Sequence, residues 1–201
     1  FSRTGTATES VAGTRAVLDA ALDAGVTFLD TAELYGAGAS EDLIGRSIEG
    51  RRDRFVIATK FGHRAGGAPG WEGWGPRGSA AYIGRAVEGS LRRLRTDHVD
   101  LLQLHTPDPS TPVGETLAAL AELVAAGKVR FVGNSNFSAD QLREADAVAA
   151  ELGLPRFATA QNEYSLLARG VEAEILPAVN ELRLGFLPFF PLHNGLLTGK
   201  Y

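Results

Sequence analysis

Three stretches of the chain, VTFLD at 26–30, FVIATK at 55–60 and VDLLQLH at 99–105, share one pattern: a run of β-branched, aliphatic or aromatic residues that ends on a polar side chain. Short apolar runs of this kind read as strands, and near-continuous ones as strands buried on both faces. Three further runs, Val129–Ser135, Phe157–Gln161 and Gly185–Phe190, extend the series, and each run is followed by a longer stretch of helical periodicity. The six starts fall 29, 44, 30, 28 and 28 residues apart. A train of nearly equal βα units implies a parallel sheet with right-handed crossovers. The one long interval carries an insert, GHRAGGAPGWEGWGPRG at 62–78, with seven Gly, two Pro and two Trp. Such a loop is flexible or functional and is not core.

The helices have their own signatures. Ile83, Val87, Leu91 and Leu94 recur on one helical face, and so do Leu117, Leu120 and Val124. Thr111 is a candidate N-cap with Pro112 at the first helical position. Ser138 with Gln141 fits a capping box. Ser40, followed by Glu41 and Asp42, puts a cap and two acids at a helix start, where the macrodipole favours them.

Composition bounds the function. The chain has 201 residues, 44% of them hydrophobic and 22% charged, ordinary values for a soluble globular protein. It is long enough for one large domain or two small ones, and no linker or composition break argues for a second, so 1–201 reads as a single unit. A net charge of −4 gives no sign of nucleic acid or an anionic membrane as partner. The apolar runs are too short for a membrane span, and no signal-like N-terminus is present. With no Cys, disulfides, thiolate metal sites and Cys nucleophiles are out. Starting at Phe1 and lacking Met, the chain is expected to be a processed product or part of a longer one.

Two architectures compete, a doubly wound sheet and an eightfold barrel. A dinucleotide-binding unit of the first kind wants G-x-G-x-x-G after its first strand, and Gly36-Ala37-Gly38 followed by Glu41 lacks the third Gly. A doubly wound sheet needs chemistry only at its switch point. Here nearly every strand ends in a polar residue: Asp30, Lys60, His105, Ser135 with Asn136, and Gln161. A barrel directs all its C-terminal strand ends into one site, so the expected fold class is α/β, a (β/α)8 TIM-type barrel.

Taken singly these residues are unremarked. Asp30 could cap a turn, Lys60 could snorkel to water, His105 could be a satisfied buried histidine, and Tyr35 could be an ordinary half-buried aromatic. Taken together, an Asp, a Lys and a His at the ends of three successive parallel strands must lie near one another if those strands are neighbours, and a Tyr on the first loop could reach the same point. A phenol, with a reference pKa of about 10, is a poor proton donor at neutral pH, and an adjacent ammonium favours its ionised form. A carboxylate would hold that ammonium in place. The set is a tuned general acid, with His105 able to orient a carbonyl oxygen.

At this point the sequence resembles the aldo-keto reductases. Residues 28–36 (FLDTAELYG) look like that family's first signature, 57–62 (IATKFG) its catalytic-Lys strand and 100–105 (DLLQLH) its His strand. The similarity continues through 127–130 (GKVR), 133–136 (GNSN), 161–167 (QNEYSLL) and 195–200 (GLLTGK), in the family's order. It implies an NAD(P)H-dependent, cytoplasmic oxidoreductase that transfers hydride between the nicotinamide and an aldehyde or ketone. Asp30, Tyr35, Lys60 and His105 would be its catalytic tetrad, with Tyr35 protonating the carbonyl oxygen. Ser135, Asn136 and Gln161 would hydrogen-bond the nicotinamide carboxamide. Phe189, Pro191 and Leu192 fall on the family's Tyr-Ser-Pro-Leu pattern, so that Phe189 would stack on the ring. Phe190 departs from that pattern's Ser. NADPH is the implied cofactor, with NADH an alternative, because the groups that read the adenosine phosphate would lie beyond Tyr201.

Trp71 and Trp74 either line an apolar substrate pocket or pin the 62–78 loop by surface packing. The sequon Asn136-Phe137-Ser138 sits in the expected cofactor site of a chain without secretory features and is discounted. Four scattered His, at 63, 98, 105 and 193, argue against metal-assisted hydrolysis. Potassium-channel β-subunits resemble the same family, so a cofactor-binding regulator or sensor is the alternative function. At about 29 residues per unit an eightfold barrel needs roughly 230. The first strand is therefore expected before Phe1, and the seventh helix with the eighth βα unit after Tyr201.

Overall fold

A computed structural model describes residues 10–67 and 70–200. Its elements run α1 (Val11–Asp23), β1 (Phe28–Asp30), α2 (Ala39–Ser47), β2 (Val56–Phe61), α3 (Ala80–Leu94), β3 (Val99–Leu104) and α4 (Val113–Ala125). They continue with β4 (Val129–Ser135), α5 (Ala139–Leu152), β5 (Thr159–Glu163), α6 (Ile175–Glu181) and β6 (Gly185–Phe189). The strands form one sheet in sequence order, every neighbouring pair parallel. No helix among the described residues is long and apolar enough to cross a membrane.

Side-chain alternation divides the sheet into two faces. Leu29, Ile57, Phe61, Leu102, Leu104, Val132 and Ala160 point to the helices and are buried. There they meet Ile44, Ile83, Val87, Leu94, Leu117, Leu120 and Leu142 in a continuous apolar core. Each such Leu, Ile, Val or Phe side chain contributes about 1.5–3 kcal/mol on full burial. The opposite face is polar toward the strand ends and apolar further down, where Phe131 is 61% exposed.

That second face is concave. In a flat sheet four strand spacings of about 4.8 Å, roughly 19 Å, would separate β1 from β5. The Gln161 side-chain amide on β5 nonetheless donates to the Asp30 carboxylate on β1 at 3.3 Å. The sheet is curled into a half-barrel with its helices outside, part of the (β/α)8 architecture. Pairing registers put Lys60, Gln103, Gly133, Thr159 and Gly185 in one inner layer. A Cβ on Gly133 would run into Thr159 Oγ1; its absence lets Thr159 Oγ1 approach Gln103 Oε1 at 3.4 Å across β4. Alternate-strand filling of this kind is how barrels of this type occupy their interior.

Several local expectations are corrected. β1 starts at Phe28, where its pairing with Val56 begins, and Val26 stays outside the ladder. β5 runs over Thr159–Glu163, two residues later than expected, since both its neighbours pair from Thr159. Phe157 instead packs edge-on against Phe137, ring centroids 5.7 Å apart. β3 ends at Leu104, although the His105 amide still donates to Phe61 O at 2.8 Å. Thr111 does not cap α4: its hydroxyl binds the Asp108 carboxylate at 3.0 Å, and Pro112 occupies the cap position. Ser40 lies inside the first turn of α2, its hydroxyl 2.8 Å from that of Thr31. The capping box of Ser138 and Gln141 is present.

Asp100 ties three strands together near their starts. Its buried carboxylate accepts from the Ile57 amide at 2.8 Å, Arg52 Nη2 at 2.7 Å and Arg130 Nη1 at 2.8 Å. Burial opposes its ionisation, but the Ile57 amide and the two guanidiniums outweigh that and hold it below the ordinary carboxylate value. Asp100→Ala strands these donors, so a urea melt is expected to show a loss of about 2–4 kcal/mol; a loss under about 0.5 kcal/mol contradicts the role.

Candidate active site

Lys60 is wholly buried, and a buried ammonium persists only if its donors are met. Its Nζ donates to both Asp30 oxygens at 2.8 Å, to Thr31 O at 2.9 Å and to Tyr35 Oη at 3.3 Å. The pairing of β1 with β2 delivers this geometry, since Asp30 sits opposite Ala58, two residues before Lys60 on the same face. The β1–α2 turn brings Tyr35 back over the strand end through Tyr35 N to Ala32 O and Ser40 N to Tyr35 O. The phenol oxygen accepts from the ammonium and no described residue takes the phenol's own hydrogen, which leaves that proton for the space above.

His105 follows β3 and is buried. Its pKa is pushed down to about 3, by burial first and then by the Lys60 and His63 charges, so the ring is neutral at ordinary pH. It stands edge-on to Tyr35 at 5.8 Å and to His63 at 4.5 Å between ring centroids. Its Nδ1 has no partner among the described residues. Its backbone carbonyl accepts from Asn136 Nδ2 at 2.9 Å, and the same amide reaches Ser135 Oγ at 3.1 Å. Ser135 Oγ in turn donates to Gln161 O at 2.9 Å. With Gln161 on Asp30, the strand ends close into one polar rim around a cavity of about 240 Å³. Leu34, Tyr35, His63, His105, Ser135, Asn136, Gln161, Phe189 and Phe190 line it.

The sequence matches the aldo/keto reductase family model over residues 4–201. The chain belongs to that family. It is 40% identical over 185 residues to the aldo-keto reductase YhdN of Bacillus subtilis (strain 168), covering 90% of this chain and 52% of the relative. It is 42% identical over 192 residues to the uncharacterized oxidoreductase YrpG of the same strain, covering 92% and 59%. A probable voltage-gated potassium channel subunit beta of Oryza sativa subsp. japonica is 39% identical over 194 residues, covering 93% and 57%. The chain spans about half the length of the curated relatives it matches.

In this member of the family, Asp30, Tyr35, Lys60 and His105 meet at one point, with Ser135, Asn136, Gln161 and Phe189 on the adjoining wall. Pro191 and Leu192 lie beyond the cavity lining and are exposed. Trp71 and Trp74 pack against the core outside that lining, Trp74 edge-on to Tyr82 with centroids 5.4 Å apart.

Three members of the neighbourhood had no assigned role in the sequence. Glu33 is fully buried and its Oε1 accepts from the Gly62 amide at 2.9 Å and Tyr82 Oη at 2.8 Å, which clips the 62–78 loop to the Tyr35 turn. Burial raises its pKa against those two hydrogen bonds. His63 and Phe190 line the cavity itself. The available signals were Glu33's place two residues before Tyr35 and His63's place three after Lys60.

The neutral His105 ties stability to pH. An unfolded His takes up a proton below its ordinary 6.5, whereas His105 in the fold resists until about 3, so acid favours the unfolded chain. Between about pH 6.5 and 5, above the carboxylate range, the wild type is expected to lose stability more steeply than His105→Asn. The excess slope is at most about 1.4 kcal/mol per pH unit. Parallel curves of urea midpoint against pH would show that the ring is not buried neutral.

Proposed function

We propose that this chain is the catalytic part of a nicotinamide-dependent reductase of aldehydes or ketones, with Tyr35 as general acid. The observation that carries it is the Lys60 ammonium, held by Asp30 at 2.8 Å and 3.3 Å from the Tyr35 oxygen. As Tyr35 passes its proton to a carbonyl oxygen, negative charge grows on the phenol oxygen. The ammonium, itself buried, is already in place to stabilise it. Asp30 fixes the ammonium's position. Neutral His105 offers a ring nitrogen to the carbonyl oxygen and sets its approach to Tyr35.

The cavity wall fits a nicotinamide. Asn136 and Gln161 spend their amide nitrogens on His105 O, Ser135 Oγ and Asp30, so their side-chain carbonyls are open to accept from a carboxamide. The Ser135 hydroxyl would meet the carboxamide oxygen by turning its hydrogen from Gln161 O, and Phe189 supplies an apolar face to its ring. Pro191 and Leu192 flank that aromatic in sequence. The bound cofactor, NADPH by preference and NADH as the alternative, supplies hydride to the carbonyl carbon. The potassium-channel subunit among the relatives favours a second reading, a regulator that binds cofactor and turns over little or not at all.

With 4-nitrobenzaldehyde and NADPH, the full-length wild type is expected to consume the cofactor. Tyr35→Phe should do so about 10²–10⁴ times more slowly while still folding and binding NADPH. Equal rates in the two proteins sink the role of Tyr35. NADPH binding with no turnover in either protein selects the regulator.

A further inference from the structure

A second cavity, of about 470 Å³, opens beside the catalytic one and shares His63 and Asn136 with it; Arg64, Thr106 and Pro107 complete its lining. Among the described residues no carboxylate lines either cavity. Arg64 is exposed, and its guanidinium makes no ion pair or hydrogen bond among the described residues. An Arg on a slack loop would mean little, since the charge would be solvated and mobile. This one is mounted on a built turn. The Arg64 amide donates to Thr106 Oγ1 at 3.0 Å, and that hydroxyl donates to Gly62 O at 3.1 Å. Gly66 N closes the turn on His63 O at 3.1 Å, and His63 Nδ1 accepts from the Ala65 amide at 3.0 Å. Thr106 directly follows His105, so the strand end that carries the catalytic ring also anchors the backbone from which Arg64 projects.

Polarity follows the same direction. His63 Nδ1 is occupied as an acceptor, so in the neutral ring Nε2 carries the hydrogen and can only donate. The ring's pKa lies below its ordinary value, through burial first and then through the charges of Arg64 and Arg77. Positive potential is therefore already felt at the point where the two cavities join. Tyr35, His105, His63 and Arg64 form a sequence from the acid outward: centroid steps of 5.8 Å and 4.5 Å separate the first three, and Arg64 is the next residue along the turn.

Resting on the reductase reading, we propose that the second cavity is an anion subsite. Arg64 and His63 there select carbonyl substrates whose far end carries a carboxylate, held on a spacer that runs from the cavity of Tyr35 and His105 into the one lined by Arg64. The guanidinium pairs with the carboxylate in a fork, and the His63 Nε2 hydrogen adds a neutral donor.

4-Carboxybenzaldehyde and 4-nitrobenzaldehyde test this, because the two end groups have nearly the same shape and differ in charge. In the full-length protein the kcat/KM ratio of carboxylate to nitro substrate is expected to fall about tenfold in Arg64→Ala, mainly through KM, and to recover in part in Arg64→Lys. Added salt should depress the wild-type ratio and leave that of Arg64→Ala nearly flat. An unchanged ratio in Arg64→Ala overturns the subsite and leaves the reductase reading standing. If neither aldehyde is turned over, calorimetric binding of 4-carboxybenzaldehyde decides. Binding weakened in Arg64→Ala keeps the subsite while the reductase reading fails, and binding independent of Arg64 removes both.

Discussion

A lysine ammonium with no access to water is the constraint on which the rest of the site depends. Removing such a charge from solvent costs several kcal/mol unless it is paired and hydrogen-bonded. Lys60 meets that demand with a carboxylate from β1, a carbonyl from the β1–α2 turn and the Tyr35 phenol. The partners all come from residues 30–35, at the end of β1 and in the turn after it, so satisfying one cation on β2 specifies the pairing of β1 with β2 and the path of the turn. The acid chemistry proposed for Tyr35 uses the same contacts.

Curvature completes the arrangement. Asp30 serves Lys60 on one side and Gln161 on the other, and the second contact is possible only because the sheet bends until β5 faces β1. Bending demands small residues where side chains would collide on the inner face, as at Gly133. It also turns the strand ends, where carbonyls and polar side chains accumulate, toward a single point. A polar rim therefore surrounds a cavity small enough to hold one flat ring.

Support for the rim comes from behind it. Thr59, next to Lys60 but facing the helices, donates to the buried Glu41 at 2.6 Å, and Glu41 is matched by Arg93 of α3 at 2.7 Å. The close approach that brings Arg93 there requires Gly45 on α2, where a Cβ would meet α3 backbone. Glu33 and Tyr82 form a second such contact under the 62–78 loop. Breaking one partner of a buried polar pair leaves the other stranded. These contacts therefore stiffen the frame that holds Lys60 and Tyr35, at positions where preorganisation matters for rate.

Much of this was legible in the chain itself. Apolar runs ending in Asp30, Lys60, His105, Ser135 and Gln161 at near-equal spacing were enough to recognise a parallel βα series with its chemistry at one end, because period and spacing are local properties. Helix faces such as Ile83, Val87, Leu91 and Leu94 were equally plain, for the same reason. What the chain alone left open depends on contacts between distant segments. Ser40 and Glu41 read as a cap and an acid at a helix start, yet both are buried, against Thr31 and against Thr59 and Arg93. Phe157 reads as strand, yet Phe137 claims it for the core. Trp71 and Trp74 had two equal readings in the sequence, and the fold lays both rings against the core. The neutrality of His105, the clip made by Glu33 and the turn that presents Arg64 exist only once β1, β2 and β3 lie side by side, since burial and a neighbour's charge are properties of the assembled sheet. Local pattern is enough to set the succession of strands and the residues at their ends, whereas which of those residues touch depends on the assembled fold, because electrostatics and desolvation act through space and not along the chain.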